Sequence, residues 1–278
     1  MRMRVKEIRM RTWLWMTILL PLVACTEKID IELDDTYTRL VVEGGITDQP
    51  GPHTVRLSLS GDYFENAPPR MAGGASVSLF DGEVSHPLTE VSPGIYQTDA
   101  GLQGIPGTTY TLYIDGVEID GVLKSYEASS FLPQVPPIDS IRVELNPNWE
   151  IWAVQLYATD PPERNFYMFR IYRNGQLMSD TLDEWVVTND DLFNGNYTYG
   201  IMVQWLEMAE AAPGDTITLE LAGITEEYAN FIWGVQDETG FNSPLFSGPP
   251  ANVLGNVTNG AIGFFHAYGT VRASTVIR

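Results

Sequence analysis

From Arg39 onward the chain alternates apolar and polar residues in short runs, and Gly or Pro interrupts each run before it reaches helical length. His53 to Leu59 puts Val55, Leu57 and Leu59 on one face and Thr54, Arg56 and Ser58 on the other. Ala75-Val77-Leu79 and Tyr110-Leu112-Ile114 repeat the period of two, which belongs to a half-buried strand. Between the runs stand Gln49-Pro50-Gly51-Pro52, Gly73-Gly74, Asp81-Gly82, Ser92-Pro93-Gly94, Ile105-Pro106-Gly107 and Asp115-Gly116. Gly supplies positive φ there and Pro fixes φ while removing a ladder donor, so these are turns. Short strands every 8–12 residues or so, joined by such turns, predict a sandwich.

The fold expected is therefore all-β. Residues 39–130 have the size of one immunoglobulin-like or prealbumin-like domain. The stretch 131–137, Phe-Leu-Pro-Gln-Val-Pro-Pro, reads as an extended linker, because each proline disfavours helix and ladder alike. A second β-rich domain, a sandwich or a barrel-like form, is expected over 138–278. Ile141-Val143-Leu145, Trp152-Val154-Leu156 and Ile217-Leu219-Leu221 alternate there, while Phe166 to Tyr172 is at first apolar on both faces. One short helix is predicted, with Thr225 as N-cap, Glu226 and Glu227 in the first turn, and Tyr228, Phe231, Ile232 and Val235 at helical spacing.

Ahead of these domains lies a leader. Arg2, Arg4, Lys6, Arg9 and Arg11 precede an apolar run from Trp13 to Ala24. That order is a signal peptide's, and a run of about 12 residues falls short of the roughly 20 that a spanning helix needs. The run closes on Leu22-Val23-Ala24-Cys25, which contains the sole cysteine and resembles a bacterial lipobox. The resemblance implies removal of residues 1–24 and lipidation of Cys25. Two or three acyl chains would then hold the protein at a membrane, each buried methylene contributing about 0.8 kcal/mol. Residues 25–38 form an acidic tether, similar to the signal that sends Bacteroidetes lipoproteins to the exterior face of the outer membrane.

The leader carries five of the 16 basic residues and one of the 36 acidic ones, so the chain from Cys25 holds 11 against 35, a net charge near −24. Such charge disfavours nucleic acid, which needs a basic face, and disfavours docking on anionic lipid through a basic patch. With Cys25 lipidated, no cysteine is left for a disulfide or a thiolate metal site.

Catalytic residues are not expected. His53, His86 and His266 are scattered, no metal-binding pair such as H-E-x-x-H occurs, and no G-x-S-x-G elbow is present. Among so many carboxylates, a glycosidase-like pair would arise by chance and carries no information. The segment Asn189 to Asn196 fails as an EF-hand: with Asp190 first and Asn194 fifth, Leu192 occupies a ligand position and Ile201 stands where the bidentate Glu belongs. An Asp/Asn/Gly turn accounts for it, with calcium of another kind left open. No cofactor or metal is otherwise expected. All five tryptophans after the leader lie beyond residue 137. Trp152 and Trp205 share faces with apolar neighbours and are expected in the core. Trp149 and Trp185 adjoin Glu150 and Glu184 near loop ends and are the candidates for ligand or partner contact. Asp139-Ser140-Ile141, Asp180-Thr181-Leu182 and Asp215-Thr216-Ile217 resemble the acceptor for O-glycosylation of exported Bacteroidetes proteins, which marks Ser140, Thr181 and Thr216.

One ordered set of stretches spans nearly the whole chain after the leader: Leu40-Val41-Val42-Glu43-Gly44-Gly45-Ile46-Thr47, Pro50 to Val55, Gly94-Ile95-Tyr96, Gly107 to Leu112, Ile138 to Ile141, Asn256-Val257-Thr258-Asn259-Gly260 and Gly263-Phe264-Phe265. In these residues the chain resembles a family of Bacteroidetes lipoproteins, domain of unknown function family 4249. The resemblance implies an accessory subunit of an outer-membrane TonB-dependent transporter, capturing substrate (a small molecule, glycan or peptide) or closing over the barrel mouth. A structural or adhesive surface protein is the alternative, and a surface hydrolase a more distant one.

Overall fold

The computed structural model describes residues 38–61, 68–240 and 253–278. The lipobox, Cys25 and most of the acidic tether lie outside the described residues. Along the first half run β1 (Leu40–Thr47), β2 (Thr54–Leu59), β3 (Arg70–Met71), β4 (Ser76–Phe80), β5 (Ser85–Pro87), β6 (Thr89–Ser92), β7 (Ile95–Gln97), β8 (Thr109–Ile119) and β9 (Val122–Phe131). The second half continues with β10 (Ser140–Asn146), β11 (Ile151–Tyr157), β12 (Phe166–Arg173), β13 (Gln176–Leu177), β14 (Val186–Asn189), β15 (Ile201–Glu207) and β16 (Thr216–Ile224). Among the described residues one long helix, α1 (Glu226–Thr239), precedes the terminal β17 (Ile262–Val276). The protein is all-β, as the alternation requires, with sheets packed face to face.

Two sandwiches share one sheet. Its strand path is β13-β12-β16-β17-β1-β2-β7-β6, with β14 on β12 and β3 on β2. The sheet β5-β4-β8-β9 covers one half of it and β10-β11-β15 the other. The expected alternation holds in the first core, where Val55, Leu57, Val77, Leu79, Tyr110, Leu112 and Ile114 are buried together. In the second core Trp152, Val154 and Leu156 meet Ile217, Leu219 and Leu221. Strand β12 begins apolar on both faces because both are covered. Tyr167, Phe169 and Ile171 face the β10-β11-β15 side, while Phe166 and Met168 join the cluster under α1. The helix begins where the capping signal puts it: Thr225 Oγ1 accepts from Tyr228 N at 3.2 Å, and Tyr228, Ala229 and Ile232 are buried.

The crossing between the sandwiches follows from β17. Its first half pairs in parallel with β1, and its second half pairs antiparallel with β16. Residues 131–137 do carry the chain from the first core to the second. They are pinned: Leu132 is buried in the first core and Val135 packs on the second. With β17 crossing back, residues 38–278 cluster as one compact unit.

Candidate functional site

A cavity of about 620 Å³ opens in the second sandwich between β15 and the segment 178–187. Its wall is Trp185, whose indole Nε1 donates to Ser179 O at 3.3 Å. Gln236 on α1 fixes the wall from behind, donating to Leu182 O at 2.9 Å and to Trp185 O at 2.8 Å. The Arg170 guanidinium lies over the Trp185 ring, 5.2 Å from its centroid, and 5.8 Å from that of Tyr268. Asp183, Glu184, Glu207 and Glu210 also line the groove. An aromatic face, one cation and several carboxylates suit a ligand with both an apolar face and polar groups.

Arg170 is held in place by a cross-strand ladder. Arg170 on β12, Glu220 on β16 and Arg272 on β17 stand directly opposite one another. Arg170 Nε donates to Glu220 Oε1 at 2.6 Å, and Arg272 Nε to Oε2 at 2.7 Å. Tyr172 completes it, its hydroxyl donating to Glu220 Oε2 at 3.3 Å. Burial works to lower the Arg170 pKa, but Tyr268, Glu220 and Tyr172 outweigh it, so the guanidinium remains charged. Beside the ladder, His266 packs against Tyr228 and Tyr268, with ring centroids 4.9 and 5.1 Å away, and the two tyrosine rings also meet at 6.4 Å. Burial, aided by the charge of Arg170 and by His53, holds the His266 pKa down at about 3, so this imidazole is neutral.

A pair of carboxylates is also buried in this sandwich. Asp160 and Asp190 are 4% and 0% exposed. Asp160 accepts from Tyr167 Oη at 2.7 Å and from Gly195 N at 3.2 Å. Asp190 Oδ2 accepts from Asn165 N at 2.7 Å, whereas its Oδ1 is buried without a hydrogen-bond partner. Burial pushes the Asp160 carboxyl up, and the neighbouring Asp190 pushes the same way. No group of three His, Cys, Asp or Glu side chains converges among the described residues.

The family model described as Domain of unknown function (DUF4249) matches residues 26–274. The chain belongs to the DUF4249 family. No curated relative matches it. Among solved structures, a cytokine receptor complex aligns at 11% identity over 66% of this chain and 82% of that one, with a TM-score of 0.23, and at that score the likeness carries no argument.

Several residues behind the DUF4249 resemblance turn out to build the shared sheet. Gly45 pairs with His266 across β1 and β17, and a Cβ there would collide with the carbonyl oxygen and the ring of His266. Gly263, at φ 93°, lies opposite Val42, whose backbone a Cβ would strike. Asn256 bridges β9 to β17: its amide donates to Ser129 O at 2.9 Å and Phe265 O at 2.7 Å, and its Oδ1 accepts from Phe265 N at 2.9 Å.

The predicted contact residues divide in this DUF4249 chain. Trp185 lines the groove. Trp149 is 64% exposed at the tip of the β10–β11 turn, outside it. The strand end at Ile151 pairs with Glu207 on the groove's rim, so the tip and the groove share one end of the sandwich. Trp152 is buried, its Nε1 donating to Ala211 O at 2.9 Å. Trp205 departs from its expected place in the core and is 50% exposed. The β11–β15 register shifts at Val154/Gln155, leaving Val203 as an extra residue, and beyond this bulge Leu206 takes the inward position. Ser140 and Thr181 are exposed and Thr216 half-buried. The histidines are tied into structure. His53 Nδ1 accepts from Thr47 N at 3.4 Å, leaving Nε2 to donate to Leu102 O at 3.1 Å. His86 Nε2 lies 2.9 Å from Asp81 Oδ2 in the β4–β5 turn.

Proposed function

We propose that this DUF4249 chain is a non-catalytic lipoprotein, anchored through Cys25 to the outer membrane and facing the cell exterior. There it serves as the substrate-capture or lid subunit of a TonB-dependent nutrient transporter. The observation that carries the binding half of this reading is the groove walled by Trp185 with Arg170 against it. Its residues suit recognition: a fixed aromatic plane, a cation whose charge is maintained, and polar groups around the opening. The anchor half rests on Leu22-Val23-Ala24-Cys25 and on the family resemblance. The scattered histidines, each in structural contact, favour binding over hydrolysis.

The exposed Trp149 supports the rival reading of an adhesive or structural surface protein, since an unsupported indole at a hairpin tip suits a protein partner. Extraction of native membranes in mild detergent, followed by affinity purification of the full chain, separates the two. A transporter barrel co-purifying in stoichiometric amount is the expected result. Its absence from a complex that retains other surface proteins contradicts the transporter role in favour of the rival.

A further inference from the structure

The two loops that hold Asp160 and Asp190 are stitched together before either carboxylate is considered. Asp160 N donates to Asn196 O at 3.0 Å, Asp190 N donates to Asn165 O at 3.2 Å, and Thr159 bridges Tyr197. Inside this frame both aspartates are almost wholly buried, and neither makes an ion pair with the described residues. The two carboxyl groups are near enough to hydrogen-bond once a proton lies between them. Ionised, they repel each other at low dielectric, and Asp190 Oδ1 has no donor to answer it. Some positive centre belongs there.

A shared proton or a metal ion could supply it, and the surrounding donors decide. Tyr167 Oη and Gly195 N both donate to Asp160, and Asn165 N donates to Asp190. Hydrogen bonds of this kind stabilise the ionised carboxylate and oppose sharing a proton. Two buried carboxylates in contact, one with an oxygen that no donor reaches, call for a cation. The carbonyls of Asn165 and Asn196 accept one hydrogen bond each from the backbone of the two aspartates, and each keeps a second lone pair. We propose that Asp160 and Asp190, through the free Asp190 Oδ1 and with carbonyl oxygens of the two loops, bind a calcium ion. All the donors are oxygens, which selects a hard cation. Calcium accepts irregular sets of six to eight oxygens or so, whereas magnesium demands a regular octahedron and retains waters that a buried site cannot house. This gives a site to the calcium that the sequence left open at the loop of Asp190, and it is independent of the transporter reading.

The test uses the full chain in mild detergent, stripped with EDTA at pH 7.5. Calcium is expected to raise the unfolding temperature by about 5 °C at saturation, with magnesium at equal concentration far weaker. Terbium emission excited through tyrosine, with Tyr167 as the adjacent donor, is expected to appear and to be displaced by calcium. Asp190→Asn is expected to fold with the native circular dichroism and to lose both responses. The proposal is overturned if calcium leaves the wild-type unfolding temperature unchanged and no terbium signal forms. In that case Asp190→Asn, able to donate to Asp160, stabilises the protein and a shared proton is the answer. A calcium response that survives in Asp190→Asn overturns it equally, by moving the ion elsewhere.

Discussion

The two sandwiches use the same kind of strand, yet they bury different chemistry. Among the described residues, the polar side chains buried in the first are His53, Ser58, Thr98 and Ser130, and none of these is an acid or a strong base. The second buries Asp160, Asp190 and Glu220 and also carries the groove. Burying a carboxylate costs several kcal/mol unless it is paired and hydrogen-bonded, and a hydrophobic replacement is often at least as stable. Core stability therefore does not explain the charges of the second half. Glu220 is answered by two arginines, one of which stands at the Trp185 wall. Asp160 and Asp190 have no such answer among the described residues. The difference teaches where to look for function: on the proposed reading the first sandwich is the scaffold and the second the half that binds.

The sharpest way to break this contrast is to remove the centre of the ladder. Glu220→Gln leaves Arg170 uncompensated in the interior, and urea denaturation should show a loss of about 3 kcal/mol, near the low end of the range for buried pairs because half-exposed Arg272 can turn to water. Acid probes the same region through His266. Its folded pKa of about 3 lies below the unfolded value near 6.5, so the unfolded chain binds more protons between them. Stability must then fall as pH drops below roughly 6.5, approaching about 1.4 kcal/mol per pH unit. His53, whose pKa burial also lowers, acts in the same direction. Equilibrium unfolding at pH 7 and pH 5 checks this, and His266→Phe, which keeps a ring against Tyr228 and Tyr268, should flatten the slope. The smallest effect belongs to the scaffold. Thr98→Val removes the hydroxyl that accepts from His53 N at 2.9 Å, and the loss should be about 1 kcal/mol. A cost there equal to that of Glu220→Gln would erase the distinction between the halves.

Much of the fold was legible because strand alternation is local. Val55 and Leu57, Trp152 and Val154, and the helix capped by Thr225 all lie where their spacing puts them. Trp205 was misplaced because a bulge reverses parity, and nothing in Ile201 to Glu207 marks which residue is the extra one. The sharing of β17 was equally hidden, since parallel pairing of β1 with a strand more than 200 residues later leaves no local trace. Trp185 could be singled out by its place at a loop end next to Glu184. The ladder could not, because Arg170, Glu220 and Arg272 are neighbours only once three strands are in register. The only hint was a charge inside each otherwise apolar or alternating run. Asp190 was visible in its loop, but the partner that makes it unusual, Asp160, lies 30 positions earlier in the chain.

The central claim, that the second sandwich is the working half, is tested most directly by photo-crosslinking in native membranes. A photoreactive side chain is placed singly at Trp185 on the groove or at Tyr113 on an exposed strand of the first sandwich. Adducts formed from position 185 to a transporter barrel or to its ligand, with none from position 113, are the expected result. Adducts from position 113 alone would contradict the assignment and make the first sandwich the contact surface.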